Sequence, residues 1–269
     1  MKILPKCSLI ISTYNWPEAL SVCLKSILKQ TIKPNEIIIA DDGSKDETKH
    51  LIESFKINCP IPIKHVWQPD EGFKLSEIRN KALAVAAFDY IIQIDGDLYL
   101  DKNFVKDHLN FAKLNSFVRA SRIYLDQSTS IKLLNNELKS VSYLDKGVSN
   151  KFSAIRFPYL WRFFEYNYKM KGDELYEIHG CNMAYWRADA IKVNGYNEEF
   201  LGWGPEDKEF ITRLLNIGIK KRFLKLGGIV YHIWHKENSK KTLENNMKIF
   251  KLAIQNKTAF CERGINQYI

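Results

Sequence analysis

Two aspartates separated by a single glycine end an apolar run at residues 91–97, I-I-Q-I-D-G-D. Carboxylate oxygens are ligands that Mg²⁺ and Mn²⁺ prefer, and such ions keep open positions for phosphate groups. Asp followed by Gly is also a common turn, so Asp95 and Asp97 by themselves are explained about equally well by a metal site and by a tight turn. The choice depends on which other side chains share this end of the strand.

Similar polar clusters follow two earlier apolar runs. S-T-Y-N, which includes Ser12 and Tyr14, follows the first run, and D-D-G-S, which includes Asp42, follows the second. In a parallel sheet the carboxyl ends of the strands share an edge, and ligands bind there. Several carboxylates facing one cleft repel one another unless a cation compensates them. The sequence therefore predicts Mg²⁺ or Mn²⁺ bridging a nucleoside diphosphate at this edge.

A further cluster, G-W-G-P-E-D at residues 202–207, opens a predicted helix. Acidic residues in a first helical turn are stabilised by the helix dipole by about 0.3–1 kcal/mol, which gives Glu206 and Asp207 a structural explanation. Asp207, however, shares a helical face with the apolar Ile211 and Leu214. A carboxylate that faces inward at the start of a helix is a candidate general base.

Two histidines lie three positions apart in Y-H-I-W-H at residues 231–235. A single histidine here would more often be a structural residue. Together with a carboxylate metal site, His232 and His235 are predicted metal ligands, and imidazole suits Mn²⁺ better than Mg²⁺. Zinc hydrolase chemistry is not indicated, because the chain contains no H-E-x-x-H motif.

The elements that must position these residues alternate regularly over the first 120 residues. Strands are predicted at residues 8–11, 36–40, 63–67 and 90–94, and helices near residues 17–28, 44–55, 75–87 and 103–114, the second with a capped start at Ser44. This alternation predicts an α/β fold with right-handed crossovers and a mostly parallel sheet flanked by helices. Residues 127–172 lose the alternation.

Residues 151–169, here called the aromatic segment, read K-F-S-A-I-R-F-P-Y-L-W-R-F-F-E-Y-N-Y-K. Aromatic residues interleaved with Lys and Arg are explained by packing into the core, by a lid over an acceptor site, or by contact with a membrane surface. All three explanations remain open from the sequence.

Length and composition limit the possible classes of protein. The 269 residues predict one domain, with a nucleotide-binding half at about residues 1–120 and a second half at about residues 121–269. The net charge of +9 suits anionic partners, but no compact basic block appears, so nucleic-acid binding is not predicted. Five scattered cysteines without a C-x-x-C pair indicate reduced thiols in a cytoplasmic protein. No 18-residue apolar stretch occurs, so membrane contact would be peripheral.

Taken together, these motifs resemble the family 2 glycosyltransferases of the GT-A fold. The resemblance rests on S-T-Y-N, A-D-D-G-S, the R-N of S-E-I-R-N-K-A-L, and D-G-D, in this order. The stretch from G-C-N-M-A-Y-W to G-W-G-P-E-D-K-E-F, residues 180–210, is similar to the galactosyltransferase-type carboxyl-terminal module of β-1,4-galactosyltransferases and bacterial chondroitin polymerases. The motifs cover about residues 6–240, and their order is more specific than D-G-D alone.

The resemblance implies a role for each candidate residue. The nucleotide-sugar would be bound by Ser12, Tyr14, Asp42, Arg79 and Asp95. The metal would be held by Asp97 and His235, with His232 and Asp95 as further candidates. The donor or acceptor sugar would contact Trp203 and Glu206, and Asp207 would be the catalytic base.

The implied activity is an inverting, metal-dependent transfer of a sugar from a UDP-sugar to a hydroxyl of a glycan or lipid-linked glycan. The expected role is synthesis of a bacterial surface polysaccharide such as lipopolysaccharide or capsule, with galactose or N-acetylgalactosamine favoured as the sugar. Two alternatives are a metal-dependent nucleotidyltransferase and a non-catalytic sugar-binding protein. The first would need a Gly-rich phosphate loop where S-T-Y-N-W-P stands, and the second would not need Asp207.

Overall fold

The structure, a computed structural model, describes residues 3–236 and 242–269. Its strands are β1 (Cys7–Thr13), β2 (Glu36–Asp41), β3 (Ile63–Trp67), β4 (Tyr90–Asp95), β5 (Leu98–Leu100), β6 (Ser116–Ala120), β7 (Arg122–Tyr124), β8 (Asn182–Trp186), β9 (Lys220–Leu224) and β10 (Val230–His232). Its α-helices are α1 (Pro17–Leu28), α2 (Asp46–Asn58), α3 (Leu75–Ala84), α4 (Phe104–Phe111), α5 (Gln127–Leu134), α6 (Trp161–Phe164), α7 (Arg187–Lys192), α8 (Glu206–Asn216) and α9 (Leu243–Gln255). Short 3₁₀ turns occur at Lys151–Ala154, Pro158–Leu160, Gly172–Tyr176 and Ile265–Gln267.

Seven strands form one sheet in the order β3-β2-β1-β4-β8-β6-β9. All neighbouring pairs are parallel except those of β8, which runs antiparallel to β4 and to β6. Every residue of β1 and β2 is buried, as expected for strands covered on both faces. Helices α1 and α2 pack their apolar residues on one face of this sheet, and α3 and α8 pack on the other. The predicted mostly parallel sheet flanked by helices is confirmed.

The register of the parallel strands brings the predicted polar clusters to one edge. Ser12 of β1 lies beside Asp95 of β4, and Thr13 of β1 lies beside Asp41 of β2. Because β8 is antiparallel, the residues just before it, including Gly180, reach the same edge. This edge therefore combines the ends of parallel strands with the start of β8.

The predicted cap of α2 is wrong. The helix begins at Asp46, and Ser44 Oγ instead accepts a hydrogen bond from the backbone N–H of Asn15, at 2.8 Å. Ser44 thus joins the loops that follow β1 and β2. Helix α3 ends at Ala84, three residues before the predicted end, and the next helix is shorter than predicted at both ends.

A small second sheet, in the order β5-β10-β7, is absent from the sequence analysis. Gly96 and Asp97 form the turn that connects β4 to its first strand, β5. The Gly96 N–H donates to Ser12 O at 2.8 Å, and a Cβ at this position would lie only 3.2 Å from the same oxygen. D-G-D is therefore both a strand end and a tight turn, and the turn packs against β1.

The aromatic segment runs along β9, the outermost strand of the large sheet. Phe223 of β9 donates its N–H to Glu165 O at 3.3 Å, and Trp161 packs inward with its indole N–H bonded to Leu226 O at 2.9 Å. Covering an edge strand in this way prevents it from pairing with other chains. Tyr159 and Phe163 nevertheless point outward, 89% and 65% exposed. Core packing explains part of this segment only. Within the ranges that the structure describes, no helix is both long and apolar enough to cross a membrane.

Candidate active site

Asp97, His232 and His235 come together at the turn between the two sheets. The antiparallel pairing of β10 with β5 sets His232 opposite Leu98, the residue after Asp97, and Ile233 donates its N–H to Asp97 O at 2.9 Å. Nε2 of His232 and Nε2 of His235 lie 3.4 and 3.3 Å from Asp97 Oδ2. The small sheet therefore brings the two predicted histidine ligands to the predicted aspartate ligand.

This triad fits a divalent metal. One donor atom from each of Asp97, His232 and His235 can be chosen so that all three lie within 4.8 Å of one another. Asp97 Oδ1 is buried and has no hydrogen-bond partner in the described chain, so it is an acceptor that lacks a cation or donor. Burial lowers the pKa of His232 and keeps it neutral for ligation, whereas the hydrogen bond to Asp97 raises the pKa of His235. One carboxylate with two imidazoles suits Mn²⁺ better than Mg²⁺.

Arg79 of α3 is the centre of the carboxylate cluster. Its buried guanidinium contacts Asp207 Oδ1 at 2.8 Å and Glu206 Oε1 at 3.4 Å through Nη1. Nη2 contacts Asp95 Oδ1 at 3.3 Å, and Nε donates to Ser12 Oγ at 3.3 Å. One cation therefore joins residues from the ends of β1 and β4 to the first turn of α8.

Three carboxylates around one buried guanidinium cannot all remain ionised at low cost. Burial, reinforced by the charge of Asp207, raises the pKa of Glu206 to about 8. Burial also raises the pKa of Asp95, but about a third of the Asp95 side chain stays open to the cleft. Glu206 is the most buried of the three carboxylates, so it is the one whose neutral form burial favours most.

Asp207 faces the cleft from the first turn of α8. Ile211 and Leu214 on the same helical face are fully buried, as the periodicity predicts, and 20% of the Asp207 side chain remains accessible. A Cβ on Gly180 would overlap the Asp207 carboxylate. Only glycine at position 180 leaves Asp207 where Arg79 holds it. Gly180 opens the stretch G-C-N-M-A-Y-W, but nothing in its local sequence indicates this role.

Asp42 lies just after β2 and is buried. Its two carboxylate oxygens accept hydrogen bonds from Gln68 Nε2 at 2.6 Å and from the Lys74 N–H at 2.9 Å. Burial raises the pKa of Asp42 to about 6. The residues between β3 and α3 therefore orient this carboxylate, a contact that no motif in the sequence indicates.

Tyr14 is half-exposed beside the same loop, and its hydroxyl donates to Asp70 Oδ2 at 2.9 Å. Ser12, by contrast, is buried and bonded to Arg79, so it lies deeper in the cleft. The structure thus brings Ser12 to the carboxylate cluster, while Tyr14 and Asp42 adjoin residues 68–74 at the cleft's outer side.

Trp203 lies in the loop before α8 and is partly exposed. Its carbonyl oxygen accepts a hydrogen bond from Asn246 Nδ2 of α9 at 3.0 Å. Trp203 is therefore held on the same loop that leads to Glu206 and Asp207, with its position set by a helix that sequence reasoning did not connect to the site.

Two protein-family models match this chain. The one described as Glycosyl transferase family 2 matches residues 8–193, and the one described as N-terminal domain of galactosyltransferase matches residues 162–236. The two matches together cover the strand ends, the carboxylate cluster and the histidines of the triad.

Several bacterial proteins are similar over most of this chain. The chondroitin synthase of Escherichia coli is 28% identical over 244 residues, which cover 86% of this chain and 35% of that protein. The chondroitin synthase of Pasteurella multocida is 29% identical over 237 residues, covering 84% of this chain and 24% of that protein. A validoxylamine A glucosyltransferase of Streptomyces hygroscopicus is 26% identical over 80% of this chain and 49% of that protein. The chain spans about a third or less of the length of the two synthases.

Solved structures share the fold. Staphylococcus aureus TarS 1-349 in complex with UDP-GlcNAc aligns with a TM-score of 0.64 and 18% identity over 98% of this chain and 69% of that one. GalNAc-T7 with UDP, GalNAc and Mn²⁺ aligns with a TM-score of 0.68 and 17% identity over 94% of this chain and 48% of that one. The expected GT-A fold is confirmed.

We expect Arg79→Met to lower the free energy of unfolding at pH 7 by about 3–5 kcal/mol, because it leaves buried carboxylates without their cation. Without the guanidinium, these groups would be harder to ionise in the folded state than in the unfolded state, so their folded pKa values would be raised. The loss of stability is therefore largest at a pH above those folded-state pKa values. Lowering the pH from 7 to 5 should recover part of the lost free energy of unfolding. Urea unfolding at both pH values measures the effect.

Arg187→Met is the matched control, since Arg187 donates to the backbone carbonyls of Leu83 and Ala84 and to no carboxylate in the described chain. Its loss of stability should not recover at pH 5. Equal recovery in both variants would contradict the role of Arg79 as a counter-ion to the cluster.

Proposed function

Because the chain belongs to glycosyl transferase family 2, we propose that this glycosyltransferase moves a sugar from a UDP-sugar to a hydroxyl of a glycan acceptor, with a divalent metal and with inversion at the anomeric carbon. The main support for this proposal is that Arg79 contacts both Asp207 and Asp95. Asp95 lies two residues before Asp97, the aspartate of the proposed metal triad. A candidate base and a candidate metal site therefore belong to one cleft.

The residues suggest how the chain would carry out the transfer. Asp207 would accept the proton of the acceptor hydroxyl as that oxygen attacks the anomeric carbon from the face opposite the leaving UDP. Arg79 occupies Asp207 Oδ1, which leaves Oδ2 for the proton. Ser12, Tyr14 and Asp42 would bind the nucleotide at the ends of β1 and β2. The transferred sugar would lie between them and Asp207.

A metal held by Asp97, His232 and His235 would serve as a Lewis acid that neutralises the charge on the departing diphosphate. The two imidazole donors favour Mn²⁺ over Mg²⁺ for this role. Asp95 would then be free to face the ribose or the transferred sugar, because it pairs with Arg79 rather than with the histidines. Trp203 and Glu206 would contact the sugars from the start of α8.

The alternative functions are less well supported. A nucleotidyltransferase with a phosphate-binding loop would need glycines after β1, where the chain has S-T-Y-N-W-P and begins α1 at Pro17. A sugar-binding protein would have no use for a glycine at 180 that gives a carboxylate its position beside the cleft. A glycosyltransferase needs a positioned base and does not need such a phosphate-binding loop, so it agrees with both observations.

The relatives that match are bacterial enzymes named for glycan and glycoside synthesis. Their names support our proposal of a role in surface polysaccharide synthesis, in which galactose or N-acetylgalactosamine is the favoured sugar. The outward-facing Tyr159 and Phe163 of the aromatic segment, flanked by the exposed Arg162, favour peripheral contact with an anionic membrane from the cytoplasmic side. A lipid-linked acceptor would be reached from that surface.

We expect UDP and Mn²⁺ together to raise the thermal unfolding midpoint of the wild-type chain, because they bind the native state. Asp97→Asn should abolish the Mn²⁺-dependent part of this shift, and His235→Ala should reduce it. His50→Ala, which removes an exposed histidine from α2, is the control and should leave the shift unchanged. The same assay with a panel of UDP-sugars identifies the donor. If the Mn²⁺-dependent rise in the unfolding midpoint is undiminished in Asp97→Asn, the assignment of Asp97 as a metal ligand is wrong.

We expect Asp207→Asn to lower the rate of UDP release from the selected donor by about 10²- to 10⁴-fold, the range for loss of a general base. The affinity for UDP and Mn²⁺ should persist. Glu206→Gln is the matched variant: burial raises the pKa of Glu206 and so favours its neutral form, which the amide imitates, and this change should cost less than about tenfold. Wild-type turnover by Asp207→Asn would remove it as the base.

We expect the double variant Tyr159→Ser, Phe163→Ser to sediment less with vesicles containing phosphatidylglycerol, because it removes the outward aromatic rings. Raising the salt concentration should also lower binding of the wild-type chain. Phe260→Ser, which changes another exposed ring far along the chain, should bind as the wild type does. Equal sedimentation of all three proteins would contradict membrane contact through this segment.

A further inference from the structure

Arg122 faces the site from β7, and none of the motifs that guided the sequence analysis includes it. Parallel pairing sets Arg122 opposite Val230 and Tyr124 opposite His232 in β10. Alternate residues of a strand share a face, so Arg122 lies on the same side of β7 as Tyr124, whose ring centre is 5.7 Å from that of His232. Ile123, between them, is buried on the other side. Arg122 therefore points toward the triad side of the small sheet.

The charge of Arg122 is not neutralised by any carboxylate within ion-pairing distance in residues 3–236 and 242–269. Its guanidinium lies 4.8 Å from the centre of the Tyr124 ring, and Nη2 donates to the Tyr124 hydroxyl. Nη1 has the Cys181 sulfur at 3.7 Å, a weak acceptor, and Nε is buried without a partner. Arg79, in the same cleft, contacts three carboxylates. Arg122 is thus a partly buried cation with no carboxylate at ion-pairing distance among the described residues, although its charge also acts on the Asp95 carboxyl.

The sheet order separates Arg122 from the nucleotide candidates. Ser12, Tyr14 and Asp42 lie at the ends of β1 and β2, whereas Arg122 follows β6, with β4 and β8 between. The charge of Arg122 does reach the carboxyl of Asp95, at the end of β4. Cys181, which contacts Arg122, is the neighbour of Gly180, which adjoins the base Asp207. The cation therefore contacts the segment that adjoins Asp207, on the side away from Ser12, Tyr14 and Asp42. We take this side as the one from which an acceptor would approach.

We propose that Arg122 and Tyr124 bind a carboxylate of the acceptor glycan, so that the enzyme extends an acidic glycan. This inference rests on the proposed function and names the substrate class of the same site. The carboxylate would accept from Nη1 of Arg122 and from the hydroxyl hydrogen of Tyr124, whose oxygen already accepts from Nη2. Tyr124 is 44% exposed, so its hydroxyl can be reached from the cleft. Charge-assisted hydrogen bonds of this kind discriminate strongly against a neutral analogue.

The test compares two probes that differ only in the charged group: an oligosaccharide ending in glucuronate, and its carboxyl-reduced form ending in glucose. Binding to the full chain is measured by calorimetry in the presence of UDP and Mn²⁺. We expect the glucuronate probe to bind about tenfold or more tightly than the reduced one, consistent with hydrogen bonds to charged groups. Arg122→Gln should abolish this preference and Tyr124→Phe should weaken it. Arg162→Gln, an exposed charge in the aromatic segment, should leave it unchanged.

Affinity for UDP and Mn²⁺ serves as the fold control and separates the possible failures. Equal binding of the two probes to the wild type, or a preference that survives in Arg122→Gln, would overturn the inference while the glycosyltransferase assignment stands. If Arg122→Gln instead weakens UDP binding and leaves the preference intact, the cation serves the donor diphosphate and the inference is wrong. If the wild type binds neither UDP with Mn²⁺ nor any UDP-sugar, the proposed function itself fails.

Discussion

The buried guanidinium of Arg79 is the interaction on which the site depends. It joins Ser12 and Asp95, at the ends of two adjacent parallel strands, to Glu206 and Asp207 at the start of α8. These residues are far apart in sequence and approach one another only because α3 and α8 cover the same face of the sheet. Like charges brought this close would repel in a region of low dielectric, and one cation cannot neutralise three carboxylates. Burial raises the pKa of Glu206, which favours its neutral form and so reduces this excess of negative charge.

This arrangement separates two kinds of acidic group within one cleft. Asp207 has an accessible carboxylate held by Arg79 and by the absence of a side chain at Gly180, which suits the transfer of a proton. Glu206, its neighbour in sequence, is buried and carries a raised pKa, which suits a hydrogen-bond donor to a sugar oxygen. Consecutive residues on a helix point about 100° apart. The same first turn of α8 can therefore place one carboxylate in the cleft and the other beneath it.

The metal end has a different physical basis. Asp97 belongs to a tight turn, and its position is set by backbone contacts: Gly96 bonds to β1, and Ile233 bonds to the Asp97 carbonyl. The small sheet β5-β10-β7 then brings His232 to Asp97 and sets Arg122 and Tyr124 on the same side as His232. Two sheets meeting at one turn thus hold the candidate metal ligands, while the large sheet and its helices hold the candidate base.

The sequence by itself determined the alternation of strands and helices over the first 120 residues, because apolar periodicity and chain length are local properties. It also identified Asp97, Asp207 and the two histidines as unusual, since carboxylates and imidazoles at strand and helix ends are recognisable by type and spacing. Local pattern failed where a long-range partner decided the outcome. Ser44 has the spacing of a cap but bonds to Asn15 instead, and the choice between turn and metal site at D-G-D needed the histidines that the β5–β10 pairing brings to Asp97.

Only the tertiary structure revealed that Arg79 contacts three carboxylates, that burial raises the pKa of Glu206, and that Arg122 has no carboxylate at ion-pairing distance in the described chain. Each of these facts depends on burial and on distances between segments that lie far apart in the sequence. Charge compensation is a property of a neighbourhood in space, and the linear order of residues does not contain it.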